Sequence, residues 1–284
     1  MSIFRRGKTN ICYEVLGRTG PWVVLTPGGR QGLEAVRGLG EQISAEGYRV
    51  LLHDRRNCGA SDVDIEDDSQ SEQEIWADDV HAILTELGAL PVIAGGGSAG
   101  CRLSLLLALR HPGSVQGLLL WYVTGGQVAA TQLGNAYYGQ FITLAEASGM
   151  SAVADSEFFA ERIRENPDNR QRLLSYAVPD FVRVMSAWQS FFTAGADLPV
   201  IGATREQLAT VNLPTCIVPG SDPVHPREVA LGLHEILPDS EFHYPFSQEE
   251  RYSLKQVPLP EIGRRFDENK NRLFVDFLRR RLPA

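Results

Sequence analysis

Ser98 has the strongest claim to chemistry in this chain. It stands in Gly96-Gly97-Ser98-Ala99-Gly100, a G-x-S-x-G pattern. The strand-like run PVIAG (91–95) precedes it and the helix-like run SAGCRLSLLLALRHP (98–112) follows it. Small flanking residues let the chain turn sharply, and a serine at such a bend stands at the strand tip in a strained conformation. The backbone N–H of Ala99, at the helix start, then faces a developing oxyanion. The pattern alone is weak in a chain with 27 glycines; strand before and helix after give it weight. The competing reading is a Gly-rich structural turn.

A serine nucleophile needs a proton acceptor, and the chain has six histidines. His225 has the best claim, because it follows Asp222 by three residues where the run PTCIVPGSD (214–222) ends. His243 lies inside the last strand-like run, and His53 ends another just before Asp54. His111 reads as a helix-end cap or packing residue, His81 as solvated and His234 as half-buried. A glutamate, Glu250 or Glu249, is the alternative base if burial raises its pKa toward neutrality. Asp222 reads either as the carboxylate that orients an imidazole or as the turn former of a Gly-Ser-Asp-Pro sequence.

Arg30, Arg55, Arg56 and Asn57 fall in two polar turns that should adjoin Ser98. One arginine, Arg30 first, holds a substrate carboxylate on the sharper reading. On the plainer one it forms a salt bridge to Asp54 or Asp62. Trp121 and Tyr122 end a strand and line either a pocket or the core. Nothing in the neighbourhood of Cys58 clearly depresses its thiol pKa.

The elements that must position these groups alternate along the chain. WVVLT (22–26), YRVLLH (48–53), PVIAG (91–95), VQGLLLWYV (115–123) and PTCIVPGSD (214–222) read as strands. Helical patterns separate them, including EQEIWADDVHAILTEL (72–87). A helix from about Arg227 to Ile236, a strand near EFHYPF (241–246) and a long terminal helix complete the pattern. Such alternation predicts an α/β fold with a mostly parallel, eight-stranded-type sheet flanked by helices. From Gly125 to about Thr210 helical signals are many and clear strands few, which predicts a helical lid inserted after the sixth strand. The expected division is a core of residues 1–124 and 211–284 with a lid of 125–210. The aromatics of the insert, Tyr137, Tyr138, Phe141, Phe158, Phe159, Trp188, Phe191 and Phe192, read more readily as packing than as substrate wall.

The 284 residues carry a formal net charge of −8, with 43% hydrophobic and 22% charged residues. That is the profile of a globular protein with a large core. An acidic chain has no electrostatic route to phosphate backbones, so nucleic acid is not an expected partner. No stretch approaches the ~18 apolar residues of a membrane helix, so no membrane partner is expected. The N-terminus lacks the apolar run of a signal peptide, and four scattered cysteines without a CxxC read as reduced thiols in a cytoplasmic protein. No motif implies a metal or organic cofactor. The expected partner is a small-molecule substrate, and a homodimer stays open.

The segments LTPGGRQG, GYRVLLHDRRNCGASD, GGGSAG and PTCIVPGSDPVHP together resemble the α/β-hydrolase fold family, over nearly the whole chain. The arrangement is similar to its single-lid members, such as C–C bond hydrolases and lactonases. The resemblance implies Ser98 as nucleophile, Gly29 and Ala99 as amide donors of an oxyanion hole, and Asp222 as the triad acid. Pro27 stands where the family often has histidine. The family carries its catalytic histidine in the loop after the last strand, and here that loop, SQEERYSLKQVPLPEI, has none. The activity implied is hydrolysis of a small organic ester, lactone or C–C bond through a serine nucleophile. The missing histidine keeps two alternatives open: a non-hydrolytic enzyme (lyase, isomerase or cofactor-free oxygenase) and a ligand-binding pseudoenzyme.

Overall fold

The computed structural model describes residues 1–248, 250, 254 and 257–284. Its centre is an eight-stranded sheet in the order β1-β2-β4-β3-β5-β6-β7-β8. The strands from β3 to β8 run parallel, while β1 (Ser2–Arg6) and β2 (Thr9–Leu16) form an antiparallel edge. The expected α/β sheet is therefore present, mostly parallel and flanked by helices. The apolar runs become β3 (Trp22–Thr26), β4 (Arg49–His53), β5 (Val92–Gly97), β6 (Val115–Trp121) and β7 (Thr215–Val218). Side chains at nearly every position of these strands are buried, because helices cover both faces.

The edge strands β1 and β2 lack an unbroken apolar run, since one face of β1 is exposed. That is why composition does not announce them. The last strand, β8 (Ser240–Phe242), covers only the start of the expected EFHYPF strand. His243 already lies beyond it.

Helices α1 (Glu34–Ala45) and α11 (Leu259–Arg281) cover one face. Their apolar sides meet Val23, Leu25, Val50, Leu52, Cys216 and Val218 in a common core. Helices α2 (Glu72–Glu86), α3 (Ala99–Arg110) and α10 (Arg227–Ile236) cover the other. Ser71 starts α2 with a capping box closed by Glu74, which satisfies amides that the first turn leaves open.

Between β6 and β7 the chain runs through α4 (Gly126–Gly134), a π-helical turn (Asn135–Gly139), α5 (Gln140–Asp155), α6 (Glu157–Glu165), α7 (Asp168–Ser175), α8 (Val178–Ala194) and α9 (Arg205–Ala209). Tyr138, Phe141, Phe159, Trp188 and Phe192 are buried in a second apolar cluster that also takes in Val63, Ile65 and Ile75. Most of the insert's aromatics are therefore packing residues. Phe191 is exposed, and Tyr137 and Phe158 are half-buried.

Among the described residues no helix is long and apolar enough to cross a membrane. Cys12, Cys58, Cys101 and Cys216 are all unpaired and buried.

Strand order sets where chemistry can gather. The chain leaves β3 for β4 on one side and returns to β5 on the other. The carboxyl ends of β3 and β5 therefore flank a topological switch point, where α/β sheets leave a crevice. Ser98 follows β5, and the Pro27–Arg30 turn follows β3.

Candidate active site

Ser98 takes φ 54° and ψ −110°, a conformation that a side chain with a Cβ adopts only when its surroundings force it. The forcing is visible on both sides. Its N–H donates to the Trp121 carbonyl on β6 (3.1 Å), and its own carbonyl accepts the Arg102 N–H (3.2 Å) to close the first turn of α3. A methyl group built on Gly96 would strike the Gly100 backbone, and one on Gly100 would strike Thr26. These glycines let the bend pack against β3.

The parallel strands β5, β6 and β7 end side by side, so the loops that follow them converge. The hydroxyl of Ser98 lies 2.9 Å from His225 Nε2. On the other side of the ring, His225 Nδ1 lies 2.8 Å from Asp222 Oδ2 and 3.0 Å from Oδ1. The Asp222 Oδ1 also accepts the N–H groups of Val224 and His225, both at 2.9 Å. Both readings of Asp222 thus hold in one carboxylate, which builds the turn and faces the imidazole. Burial pushes the Asp222 carboxyl up, but the hydrogen bonds from the His225 ring and from the His225 and Val224 amides, together with the charge of His225, hold it below the ordinary carboxylate range. An ionised carboxylate can only accept, so Nδ1 carries the ring proton and Nε2 is left as the acceptor toward Ser98.

The imidazole is held from behind. Tyr122, at φ 51°, has its ring centroid 5.1 Å from that of His225 and stacks on Phe266 of α11 at 4.6 Å. Burial pushes its phenol up to about 12. Tyr122 therefore backs the His225 ring rather than lining a pocket wall.

Trp121 departs from the expectation of a pocket residue. Its ring is buried beneath the bend, against Phe274 and under Lys270. The alternation of side chains along β6 sends it to the α11 face of the sheet.

The Pro27–Arg30 turn lies against the serine. A methyl on Gly28 would be 3.5 Å from Ser98 Cβ, and Gly29 has φ 47°. Among the described residues neither the Gly29 nor the Ala99 amide donates to a protein acceptor. Tyr137, in the π-helical turn, brings its hydroxyl to 3.6 Å from where a methyl on Gly29 would sit. Thr124 Oγ1 lies 3.3 Å from Ser98 Oγ. Sequence reasoning missed Thr124 and did not single out Tyr137 for this place. The available signal for Thr124 was its position just past β6, at the sheet's carboxyl edge.

The other candidate bases are elsewhere. His243 Nε2 lies 2.9 Å from Glu241, on the β8–α11 side. Glu250 caps its own turn, and hydrogen bonds from the Ser247 backbone and side chain hold its carboxyl low, opposite to what a base requires. His53 is fully buried, bonded to Thr26 Oγ1 (2.9 Å) and pushed down to about 3 by burial and by Arg55. Glu249 lies outside the described residues.

Arg30 does not reach for a ligand charge. It makes a paired, two-pronged contact with Glu72 and lies over the rings of Trp76, Tyr137 and Tyr138. Burial alone would lower its proton affinity, but Glu72 reverses this and raises it. The salt-bridge reading describes it, with Glu72 as partner instead of Asp54 or Asp62.

A cavity of about 800 Å³ lies on the far side of the turn, between it and α5–α6; Arg30, Gln31, Asp54, Phe141, Phe158 and Arg162 are among its walls. Ser98 does not line it. Gln31 joins the two regions, since its Oε1 is 3.8 Å from a methyl built on Gly28.

A sequence model described as the alpha/beta hydrolase fold matches residues 21–121, from β3 through the bend to the end of β6. Solved structures match over the whole chain. A hydrolase from Pseudomonas aeruginosa PA01 aligns with 98% of this chain and 97% of its own, at TM-score 0.63 and 20% identity. The enol-lactonase from Burkholderia xenovorans LB400 covers 98% and 99%, at TM-score 0.61 and 18% identity. A meta-cleavage product hydrolase from Pseudomonas fluorescens IP01 covers 99% and 98%, at TM-score 0.60 and 18% identity. The chain has the α/β-hydrolase fold. At such identities the likeness speaks for the fold. No curated protein sequence matches the chain. On this fold, the loop that follows β7 carries both Asp222 and His225, three residues apart and in contact with each other.

Proposed function

We propose that this protein is a hydrolase acting on a small organic ester, lactone or C–C bond, with Ser98 as nucleophile. The observation that carries the reading is the continuous contact Asp222–His225–Ser98, at 2.8 and 2.9 Å, ending on a serine held in a strained bend. In this mechanism Ser98 Oγ attacks the carbonyl carbon while His225 Nε2 takes its proton. Asp222 accepts from Nδ1–H and stabilises the imidazolium. The N–H groups of Gly29 and Ala99 donate to the oxyanion. The imidazolium returns the proton to the leaving group, and water, deprotonated by the same His225, releases the acyl enzyme. Residues 125–210 act as the lid, with Tyr137 over the oxyanion turn.

The named neighbours, an enol-lactonase and a meta-cleavage product hydrolase, agree with a small-molecule substrate. The test is a fluorophosphonate probe followed by peptide mapping. Stoichiometric labelling of Ser98, abolished in Ser98→Ala, supports the reading. Absent labelling together with intact ligand binding would move the chain to the pseudoenzyme alternative. A turnover product that gains no oxygen from isotopic water would move it to the non-hydrolytic one.

A further inference from the structure

We infer that Arg55 is a positioning residue for the oxyanion hole, aiming the Gly29 amide from behind; this rests on the proposed serine mechanism. Arg55 is buried two residues past the end of β4. Its Nη2 donates to three carbonyls of one turn: Gly29 (2.9 Å), Gly28 (3.3 Å) and Gln31 (3.5 Å). In a trans peptide the C=O and the following N–H point to opposite sides. Drawing the Gly28 carbonyl toward Arg55 turns the Gly29 N–H away from it. Gly28 itself lies against Ser98, with a methyl there 3.5 Å from Ser98 Cβ. The Gly28 carbonyl also accepts the Gln31 N–H at 3.2 Å, which closes the turn, and the guanidinium is the side-chain donor that braces the same carbonyl and the next one against rotation.

The charge of Arg55 points the same way. Among the described residues no carboxylate lies within ion-pair distance of it, and its Nε and Nη1 are buried without acceptors. The guanidinium is fixed instead over the Trp76 ring at 4.6 Å. Arg30 shares that ring from 5.1 Å, and Arg102 is buried nearby with an unpartnered Nη1. Arg30 takes Glu72, and the buried Asp54, which senses the charge of Arg55, accepts instead from the Leu33 and Ala60 amides. Burying cations without matching anions is costly. The cost is offset when negative charge forms on the other side of a thin backbone turn, where fixed positive charge costs no reorganisation. Arg55 touches no reacting atom; it acts through the Gly29 amide.

The experiment uses the full-length protein, an activated ester such as p-nitrophenyl acetate, and a phenylboronic acid that mimics the tetrahedral adduct. In Arg55→Met, kcat falls by about 10²–10³-fold with KM within about threefold, because an interaction made only in the transition state has been lost. Arg55→Lys, which keeps the charge and a single ammonium donor group without the planar fork, recovers part of the loss. Amide NMR gives a readout independent of folding yield in the methionine variant. In the wild type, boronate moves both the Gly29 and Ala99 amide protons downfield. In Arg55→Lys the Gly29 shift shrinks while the Ala99 shift stays. Equal shifts at both amides in Arg55→Lys, or a rise in KM alone, overturn the role of Arg55 and leave the serine mechanism standing. A wild type whose Ser98 takes no fluorophosphonate, with neither amide moved by boronate, overturns both.

Discussion

The imidazole of His225 bridges Asp222, three residues before it on the same loop, to Ser98, more than a hundred residues earlier on another. Asp222 and His225 thus come from a single turn after β7, and among the described residues of the long loop between β8 and α11 none contacts the Ser98 hydroxyl.

This arrangement makes the His225 imidazole separable from the fold. The His225 side chain is 17% exposed and hangs from a surface turn. His225→Ala lowers turnover by about 10²–10⁴-fold while the melting temperature moves little. His243→Ala, whose partner is Glu241, leaves turnover unchanged. Steady-state kinetics and a thermal melt on both variants check this, and full activity in His225→Ala defeats it.

Asp222→Asn tests the tautomer. An asparagine can still build the turn but presents an amide donor as readily as an acceptor. We expect turnover reduced by about 10²-fold or more at unchanged secondary structure. The Asp222 carboxylate is 49% exposed, so the loss falls on kcat rather than on stability.

The Arg30–Glu72 pair is structural, and its removal shows as unfolding. Breaking one partner of a buried pair costs about 3–5 kcal/mol, because the other charge is stranded. Arg30→Met therefore lowers the urea midpoint sharply, and Arg30→Met/Glu72→Met recovers much of it. A variant with native stability and a raised KM only for carboxylate-bearing substrates would restore Arg30 as a ligand residue.

Glu241 predicts a pH-dependent clamp between β8 and α11. Hydrogen bonds from Arg280, with further help from His243 and Arg281, hold its carboxyl at about 2, against an ordinary value of 4.5. A depressed folded-state pKa gives stability that is present above about 4.5 and lost as pH falls toward about 2. Melting temperatures of wild type and Glu241→Gln should differ at pH 6 and converge through that window. A gap that stays constant down to pH 2 contradicts the clamp.

Two glycines separate the bend's steric needs from general helix propensity. A methyl on Gly100 strikes the Thr26 backbone, whereas one on Gly232 in α10 meets nothing within 4 Å. Gly100→Ala loses stability by about 1–3 kcal/mol and Ser98 labelling with it. Gly232→Ala gains about 0.5–1 kcal/mol with activity intact. Chemical denaturation of the pair gives both numbers.

The sequence by itself determined the sheet and its bend. Apolar runs such as Trp22–Thr26 and Val115–Trp121 bury on both faces and so are readable as strands. Gly96, Gly97 and Gly100 around Ser98 mark a turn that no bulkier residues would permit. It also put Asp222 and His225 three apart beside a strand end, which made them candidates together. Edge strands with one wet face, such as β1, carry a weaker signal that the residue pattern alone does not separate from loop.

Only the tertiary structure decided which polar groups meet. Strand order brings the ends of β5, β6 and β7 together, which joins Thr124 and His225 to Ser98 and removes His53, His243 and Glu250 from contention. Side-chain direction along β6 sent Trp121 into the core. Glu72, distant in sequence from Arg30, claimed it, because a guanidinium buried among Trp76, Tyr137 and Tyr138 takes the carboxylate that packing brings within reach. Local residue types fix local conformation; contacts between distant loops depend on which strands lie side by side, and that follows from burying the whole sheet at once.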